Sequence, residues 1–512
     1  MALPNFIDRA ATSASQVLSS FALEPFLARL NDQTVGIAFD GAATTSAEGR
    51  ATIDLLVRLT ARLYPRISVI PTAGADGGVA GGLEELARSI NPDVELGASL
   101  EETTVGVVVG ETRSPFGCST FHAGSDGWVA RLSTSTPVGC GTSGNPVGAG
   151  AAACLAAANV FRSIFGDQLP NGGIDEAVDI SMLSFARKTA QAGNRDFGAV
   201  NIDDTVLVGA GAIGNGFLWT LERWRGITGR LEVVDHESVD ITNLQRYVLA
   251  GQADIETPKV DVAARHLAAT ALEVHPRALR WQDFAGTRGD WRFEHVAAAL
   301  DTAEDRIALQ GALPRWIANA WTQETDLGVS RHRFGEGACL ACLYMPKGRI
   351  KNLDELVADE IGMPEASQEV RGLLQTGAPV DASFVARVAT ALDLPYEPLA
   401  EFAGQPLLSF HQKVICGGLA LRLTGGRSRV KAVVPMAFQS ALAGILLAAE
   451  VVKHAAGHDA PPATSTRIDL LRPLGTHLHD PKARDTTGRC ICADEDFLSA
   501  YAAKYGIAAA IG

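Results

Sequence analysis

Residues 206–247 read VLVGAGAIGNGFLWTLERWRGITGRLEVVDHESVDITNLQRY. A short apolar run enters Gly209-Ala-Gly211-Ala-Ile-Gly214, a helical pattern follows, and a second apolar run ends at Asp235. The glycines let the backbone turn tightly and approach a phosphate, whose charge the amides and dipole of the following helix N-terminus meet. A carboxylate about 20 residues beyond such a turn, here Asp235, can bind ribose hydroxyls. The turn alone would serve a dinucleotide as well as ATP, and can also be a purely structural bend. The downstream residues separate these readings. Asn243 and Arg246 follow Asp235, and Lys259 opens the next helix. A fork-shaped guanidinium and a compact ammonium together can hold a triphosphate and neutralise charge as pyrophosphate leaves. Asp301, ending the next strand, is placed to hold a Mg²⁺ that bridges phosphates. A dehydrogenase has no use for that set, so the site reads as one for ATP.

Working outward, Thr205–Val208 predicts a strand, Gly214–Trp224 a helix, Arg230–Asp235 a strand, Lys259–Ala271 a helix and His295–Asp301 a strand. This β-α-β-α-β alternation is that of a doubly wound parallel sheet, an α/β fold. Residues 352–412 lack strand alternation and read as short helices (Leu353–Ile361, Ser367–Leu374, Ala382–Ala389), an insertion in the α/β domain. The domain resumes over Arg429 to Lys453. The N-terminal part reads as a worn copy of the same plan. "TVGIAF" (34–39) runs into Asp40-Gly41 where the later copy has its glycine turn, and "TVGVVV" (104–109) echoes His295–Leu300. Asn145-Pro146 and the Ala-rich stretch after it echo Val434-Pro435 and theirs. Alanine-rich helices also resemble one another by composition alone. The expected division is a degenerate α/β domain at 1–190 and an active one at 191–512.

At 512 residues, 47% hydrophobic and 20% charged, the composition is that of a soluble globular protein with more than one domain. The most apolar runs, 149–161 and 441–452, fall short of the roughly 20 residues that span a bilayer. No basic region followed by an apolar core opens the chain, so a cytoplasmic protein without a membrane role is expected. A net charge of −14 argues against nucleic acid as the partner and leaves a local cationic ATP site possible. Of eight cysteines, Cys339/Cys342 and Cys490/Cys492 form two close pairs. Four thiolates suffice for a closed, structural Zn²⁺ site, the alternative being free buried thiols.

Gly209–Gly214, Asp235, "NLQRY" at 243–247, "TPK" at 257–259 and "LDTAEDR" at 300–306 resemble the adenylation domain of the ThiF/MoeB and ubiquitin-activating enzymes. The resemblance covers about 195–345 and 410–495. It implies binding of Mg-ATP and adenylation of the C-terminal glycine of a small ubiquitin-like protein. By the resemblance, Gly209, Gly211, Gly214, Asp235, Arg246 and Lys259 contact ATP, Asn243 lies near the phosphates and Asp301 binds the metal. Tyr247 departs from the family's usual glutamine and receives no role. An arginine from a partner subunit or the N-terminal segment often assists, and Arg195 is the candidate here. Family zinc sites likewise pair two cysteine couples. Cys416, followed by Gly417-Gly418, lies in the interval where ubiquitin-activating enzymes carry their thioester cysteine, with transfer to a conjugating enzyme next; a buried packing thiol is the alternative. The worn N-terminal half is similar to that of activating enzymes from bacterial antiviral conjugation operons, and implies an intramolecular pseudo-dimer with further homodimerisation optional. Adenylation of a sulfur-carrier protein without a thioester is the second activity that these motifs allow.

Overall fold

The structure, a computed structural model, describes residues 3–187, 194–345, 351–416, 419–423, 434–458, 464–475 and 478–507. Two sheets organise it. The first contains β1 (Thr34–Phe39), β2 (Arg66–Pro71), β3 (Glu95–Leu96), β4 (Val105–Val109), β5 (Ser119–Asp126), β6 (Val129–Ser133) and β7 (Ala177–Ser181). The second contains β8 (Val200–Asn201), β9 (Thr205–Val208), β10 (Ile227–Val234), β11 (Leu272–Arg277), β12 (His295–Ala298), β13 (Trp316–Thr322), β14 (Asp326–His332), β15 (Thr464–Asp469) and β16 (Leu478–Pro481). The strand orders are β3-β2-β1-β4-β5-β6-β7 and β11-β10-β9-β12-β13-β14-β15-β16, with β8 beside β10. In each sheet the first five strands in that order run parallel and the rest antiparallel. The repeat read faintly in the sequence is therefore a repeat of topology. β1 and β9 are buried along their whole length, as expected of central parallel strands.

The elements begin close to where their patterns predict, with short differences. Helix Ala212–Arg223 starts two residues before Gly214, and β10 starts earlier and stops at Val234. Helix Lys259–Leu267 ends before Ala271, because Leu272 already belongs to β11, a strand whose polar alternation hid it. Helices Val147–Phe165 and Ala437–Ala455 follow Pro146 and Met436 at equivalent places and pack against one another. Helix Val147–Phe165 extends into a turn to give a 22-residue segment long and apolar enough to cross a membrane, but 94% of its apolar window is buried inside the fold. Its small residues permit that burial. A Cβ at Gly150 would lie 2.7 Å from both Trp219 and Ile445 of the second half. One apolar cluster accordingly runs through both halves. Asp54 of the first half bonds Arg223 of the second at 2.9 Å and accepts from Trp219 Nε1–H at 2.8 Å.

The halves differ in two ways. Helices Trp281–Thr287 and Ala303–Gly311 cover the far face of the second sheet, whereas the equivalent connections in the first half, 97–104 and 110–118, contain no helix. Phe116 covers Gly36 and Gly106 there instead. Second, Asp40 occupies the turn after β1. Its Oδ1 accepts from Ala43 N–H (3.0 Å) and its Oδ2 from the Glu111 and Thr112 N–H groups (2.7 and 2.8 Å). One amide of the turn after β1 and two amides after β4 are thus met by the chain's own carboxylate. Gly110, at φ +118°, makes room for it.

Residues 353–416 fold as a helical lobe between β14 and β15, which pair with each other across it. Helices Leu353–Glu360, Ser367–Thr376 and Ala382–Leu392 enclose their own core of Val357, Phe384, Val388, Phe410, Val414 and Ile415. The resumption of the domain expected at Arg429 lies outside the described residues, as do Gly417 and Gly418.

Candidate functional site

Between β9 and helix Ala212–Arg223 the chain turns at Gly209, whose φ of +97° suits glycine, and whose Cβ would sit 2.4 Å from the Ala299 carbonyl oxygen. A Cβ at Gly214 would sit 2.3 Å from the Gly209 carbonyl oxygen, so Gly214 lets the helix start directly under the turn. Gly211 is different: its Cβ position is 3.4 Å from the Tyr247 hydroxyl, an ordinary contact, and here glycine keeps the space open. Asp235 follows β10 and ties the turn down, its Oδ2 accepting from Ala210 N–H at 2.8 Å and its Oδ1 from Glu237 N–H at 2.9 Å. Asn215, which the sequence reading passed over, donates to the Ala210 and Gly211 carbonyls (both 3.0 Å) and accepts from Leu249 N–H (3.1 Å).

The phosphate-directed cations come from the next two segments. Arg246 follows the turn Ile241–Gln245, and its buried Nη1 has no hydrogen-bond partner among the described residues. A buried charged donor in that state is costly, and an anion would satisfy it. Lys259 begins its helix almost wholly buried, with Nζ 2.5 Å from Glu237 Oε2. Burial alone would lower its pKa, but Tyr247, Asp235 and Glu237 outweigh it and hold the ammonium above its ordinary value. Glu237 is in turn held low by Lys259 against its own burial. Asp301, just past β12, is exposed and close enough to influence the Tyr247 hydroxyl electrostatically. Glycine turn, helix N-terminus, Arg246, Lys259 and Asp301 thus converge at the C-terminal edge of β9, β10 and β12, the edge at which open α/β sheets take ligands. The residues fit a nucleotide triphosphate.

Two expectations change. Asn243 Oδ1 accepts from Asp240 N–H at 2.9 Å, so its side chain caps the turn that carries Arg246. Arg195 is exposed and stacked on Phe197, 5.7 Å from guanidinium carbon to ring centroid. It precedes β8, which pairs with the first residues of β10, whereas Asp235 follows the last. Eight strand residues at roughly 3.3 Å each put it about 25 Å away, at the opposite edge of the sheet. Tyr247, left without a role by its departure from the family pattern, is buried in the middle of the site.

Cys339, Cys342, Cys490 and Cys492 converge with all four sulfurs within 4.8 Å of one another. Individual S–S distances of 3.3–3.8 Å lie near the ~3.8 Å of four thiolates set tetrahedrally at ~2.3 Å from one ion. Cys342 Sγ also accepts from Asp485 N–H at 3.4 Å, and Phe334, Leu313 and Tyr501 pack around the group. The cluster can hold a metal ion and leaves no thiolate for chemistry. Cys416 closes the turn Gln412–Cys416 at the end of the helical lobe; its side chain lies outside the described residues.

Residues 185–491 match the ThiF family. The chain belongs to the ThiF family. It is a nucleotide-binding adenylating enzyme, with ATP the expected substrate at the site above. Within this ThiF-family chain, residues 38–166 also match the family described as Prokaryotic E2 family C. A Sinorhizobium fredii (strain NBRC 101917 / NGR234) relative named "Uncharacterized protein y4jF" is 56% identical over 507 residues, 99% of this chain and 98% of its own. Among solved structures, E. coli MccB with MccA-N7isoASN is 15% identical at a TM-score of 0.35, over 57% of this chain and 66% of that one, just under two thirds of its length. E. coli MccB with ATP gives 15%, 0.34, 57% and 67%. At that distance the likeness says nothing about substrate.

Proposed function

We propose that this enzyme uses Mg-ATP to adenylate the C-terminal glycine of a ubiquitin-like protein, captures the acyl group as a thioester on Cys416 and passes it to a conjugating enzyme in the cytoplasm. The carboxylate oxygen attacks the α-phosphorus and pyrophosphate leaves; the Cys416 sulfur then attacks the acyl carbon and AMP leaves. Arg246 and Lys259 hold the phosphates, Asp301 holds Mg²⁺, and the four-cysteine cluster holds a structural Zn²⁺. The observation that carries the adenylation step is the orphaned Nη1 of Arg246, a guanidinium that shares the Tyr247 ring with the ammonium of Lys259. For the thioester step, helix Leu419–Leu423, three residues after Cys416, packs on helix Ile7–Val17, which packs on the turn Ile241–Gln245 before Arg246. The match of residues 38–166 to a prokaryotic E2 family favours conjugation over sulfur transfer. The first half, with Asp40 in its phosphate turn, acts as a scaffold that binds no nucleotide.

The test is incubation of purified enzyme, ATP and candidate ubiquitin-like proteins, read by mass spectrometry and non-reducing gels. The expected product is a reductant-sensitive adduct, absent in Cys416→Ala and replaced by a reductant-resistant oxyester in Cys416→Ser. ATP–pyrophosphate exchange persists in both, since adenylation needs no thiol. An adduct that survives Cys416→Ala places the nucleophile elsewhere. Adenylate without any wild-type adduct favours the sulfur-carrier reading.

A further inference from the structure

Arg62 lies on the first half, in the turn that ends helix Ala47–Thr60, and is 1% exposed. A buried guanidinium is expected to meet a carboxylate. This one instead reaches into the second half and donates to backbone carbonyls. Its Nη2 bonds the oxygens of Tyr247 and Ala250 at 2.5 and 2.6 Å, and its Nη1 bonds that of Arg58 at 2.6 Å. Arg58 in turn donates to the Val248 carbonyl at 2.9 Å. Two arginines of the half without a nucleotide turn thus clamp 247–250, the segment directly after Arg246.

Tyr247 links that clamp to the phosphate cations. Its ring centroid lies 5.2 Å from Lys259 Nζ and 5.8 Å from Arg246 Cζ, within cation–π range of both. Its hydroxyl is within hydrogen-bonding reach of Lys259 and borders the space that Gly211 keeps open. A displacement of this ring moves both cations.

We propose that Tyr247 is a positioning residue for Lys259 and Arg246, and that Arg62, from the first half, positions Tyr247. The first half then works on the chemistry without binding nucleotide: it fixes the geometry of the ATP site across the interface. The inference rests on the adenylation reading, and its test separates the two. Tyr247→Phe keeps the ring and removes the hydroxyl, and Arg62→Lys keeps the charge and removes the fork that spans two carbonyls.

Mg-ATP affinity is measured by calorimetry without acceptor, alongside kcat for pyrophosphate exchange and Tm. Misplacing reacting groups by an ångström can cost about 10²-fold, so the loss of one positioning contact is expected to lower kcat on the order of tenfold. Mg-ATP affinity of Tyr247→Phe falls along with kcat, because the same two cations hold the phosphates, while its Tm stays close to wild type. Because Arg62 acts through Tyr247, the double variant loses no more than the worse single one, where independent structural damage would multiply. Tyr247→Phe within twofold of wild type, or multiplicative losses in the double variant, overturns the proposal alone. Wild-type enzyme that binds no Mg-ATP overturns the adenylation reading and the proposal with it.

Discussion

Arg246 carries a buried guanidinium nitrogen that no described group satisfies, whereas the ammonium of Lys259 is shared between Glu237 and Tyr247. The two cations therefore stand differently before nucleotide arrives: one waits for an anion, the other must be drawn from a carboxylate. Asp301 is exposed beside them, able to exchange water for a metal ion. Arg246→Ala, Lys259→Ala and Asp301→Ala are each expected to lower carrier-dependent pyrophosphate exchange by about 10²–10³, the usual result of deleting one electrostatic contact to a transition state. Circular dichroism should show the fold intact. Near-normal exchange in two of the three would remove the ATP site from this edge of the sheet. Asn243→Ala serves as the contrast. It deletes a turn cap, a loss of about 1 kcal/mol, and should reduce exchange less than the three charge deletions.

The four-cysteine cluster joins elements that lie about 150 residues apart in sequence. Cys339 stands before helix Leu340–Tyr344 and Cys490 before the turn Ile491–Ala493, and the C-terminal helix Glu495–Tyr505 packs over them. With metal bound, four thiolates sharing one ion tie these pieces to the sheet; without it, four thiols crowd one small volume. Purified enzyme should carry about one Zn²⁺ per chain. Cys339→Ser or Cys490→Ser, or prolonged chelation, should lower metal content and Tm together, because affinity for a site absent from the unfolded chain is folding free energy. Metal-free protein of unchanged Tm would show that the thiols pack without an ion. The activity of zinc-depleted enzyme should fall only as far as the folded fraction falls.

Across the whole molecule the halves are joined by one core and by a buried charge network. Burial would raise the pKa of Asp54, but Arg223, Arg58 and the Trp219 N–H outweigh it and hold the carboxyl below its ordinary value. A carboxyl depressed in the folded state stabilises the fold above its unfolded value, near 3.8, and that contribution is lost as pH falls toward the folded value. Asp54→Asn leaves Glu222 as the remaining carboxylate beside Arg223 and should cost about 2 kcal/mol at pH 7, between the values for exposed and fully buried pairs. The Tm difference between wild type and Asp54→Asn should then shrink as pH falls below about 4, where the unfolded wild-type chain takes up a proton that the folded carboxyl does not. A difference that stays constant from pH 7 to pH 3 would show that Asp54 does not hold the halves together by its charge.

The sequence by itself determined the features written in short spacings. These are the glycine turn, the alternation of strand and helix around it, the order Asp235, Arg246, Lys259, Asp301, the two cysteine couples, and a helical insertion with no strand pattern. Each depends on periodicity or turn chemistry within a few residues, which survives in one dimension. The tertiary structure decided what those pieces meet. It paired β14 with β15 across the insertion and brought Cys339 within 3.4 Å of Cys490. It placed the Glu111 and Thr112 amides, which follow β4, on Asp40 in the turn after β1. It also sent the segment after Arg195 to the wrong edge of the sheet for catalysis, and laid Arg62 on the carbonyl of Tyr247, 185 residues away. Such contacts follow from the handedness of crossovers and the close packing of two halves around one core, and no local pattern records which distant carbonyl a buried arginine will find.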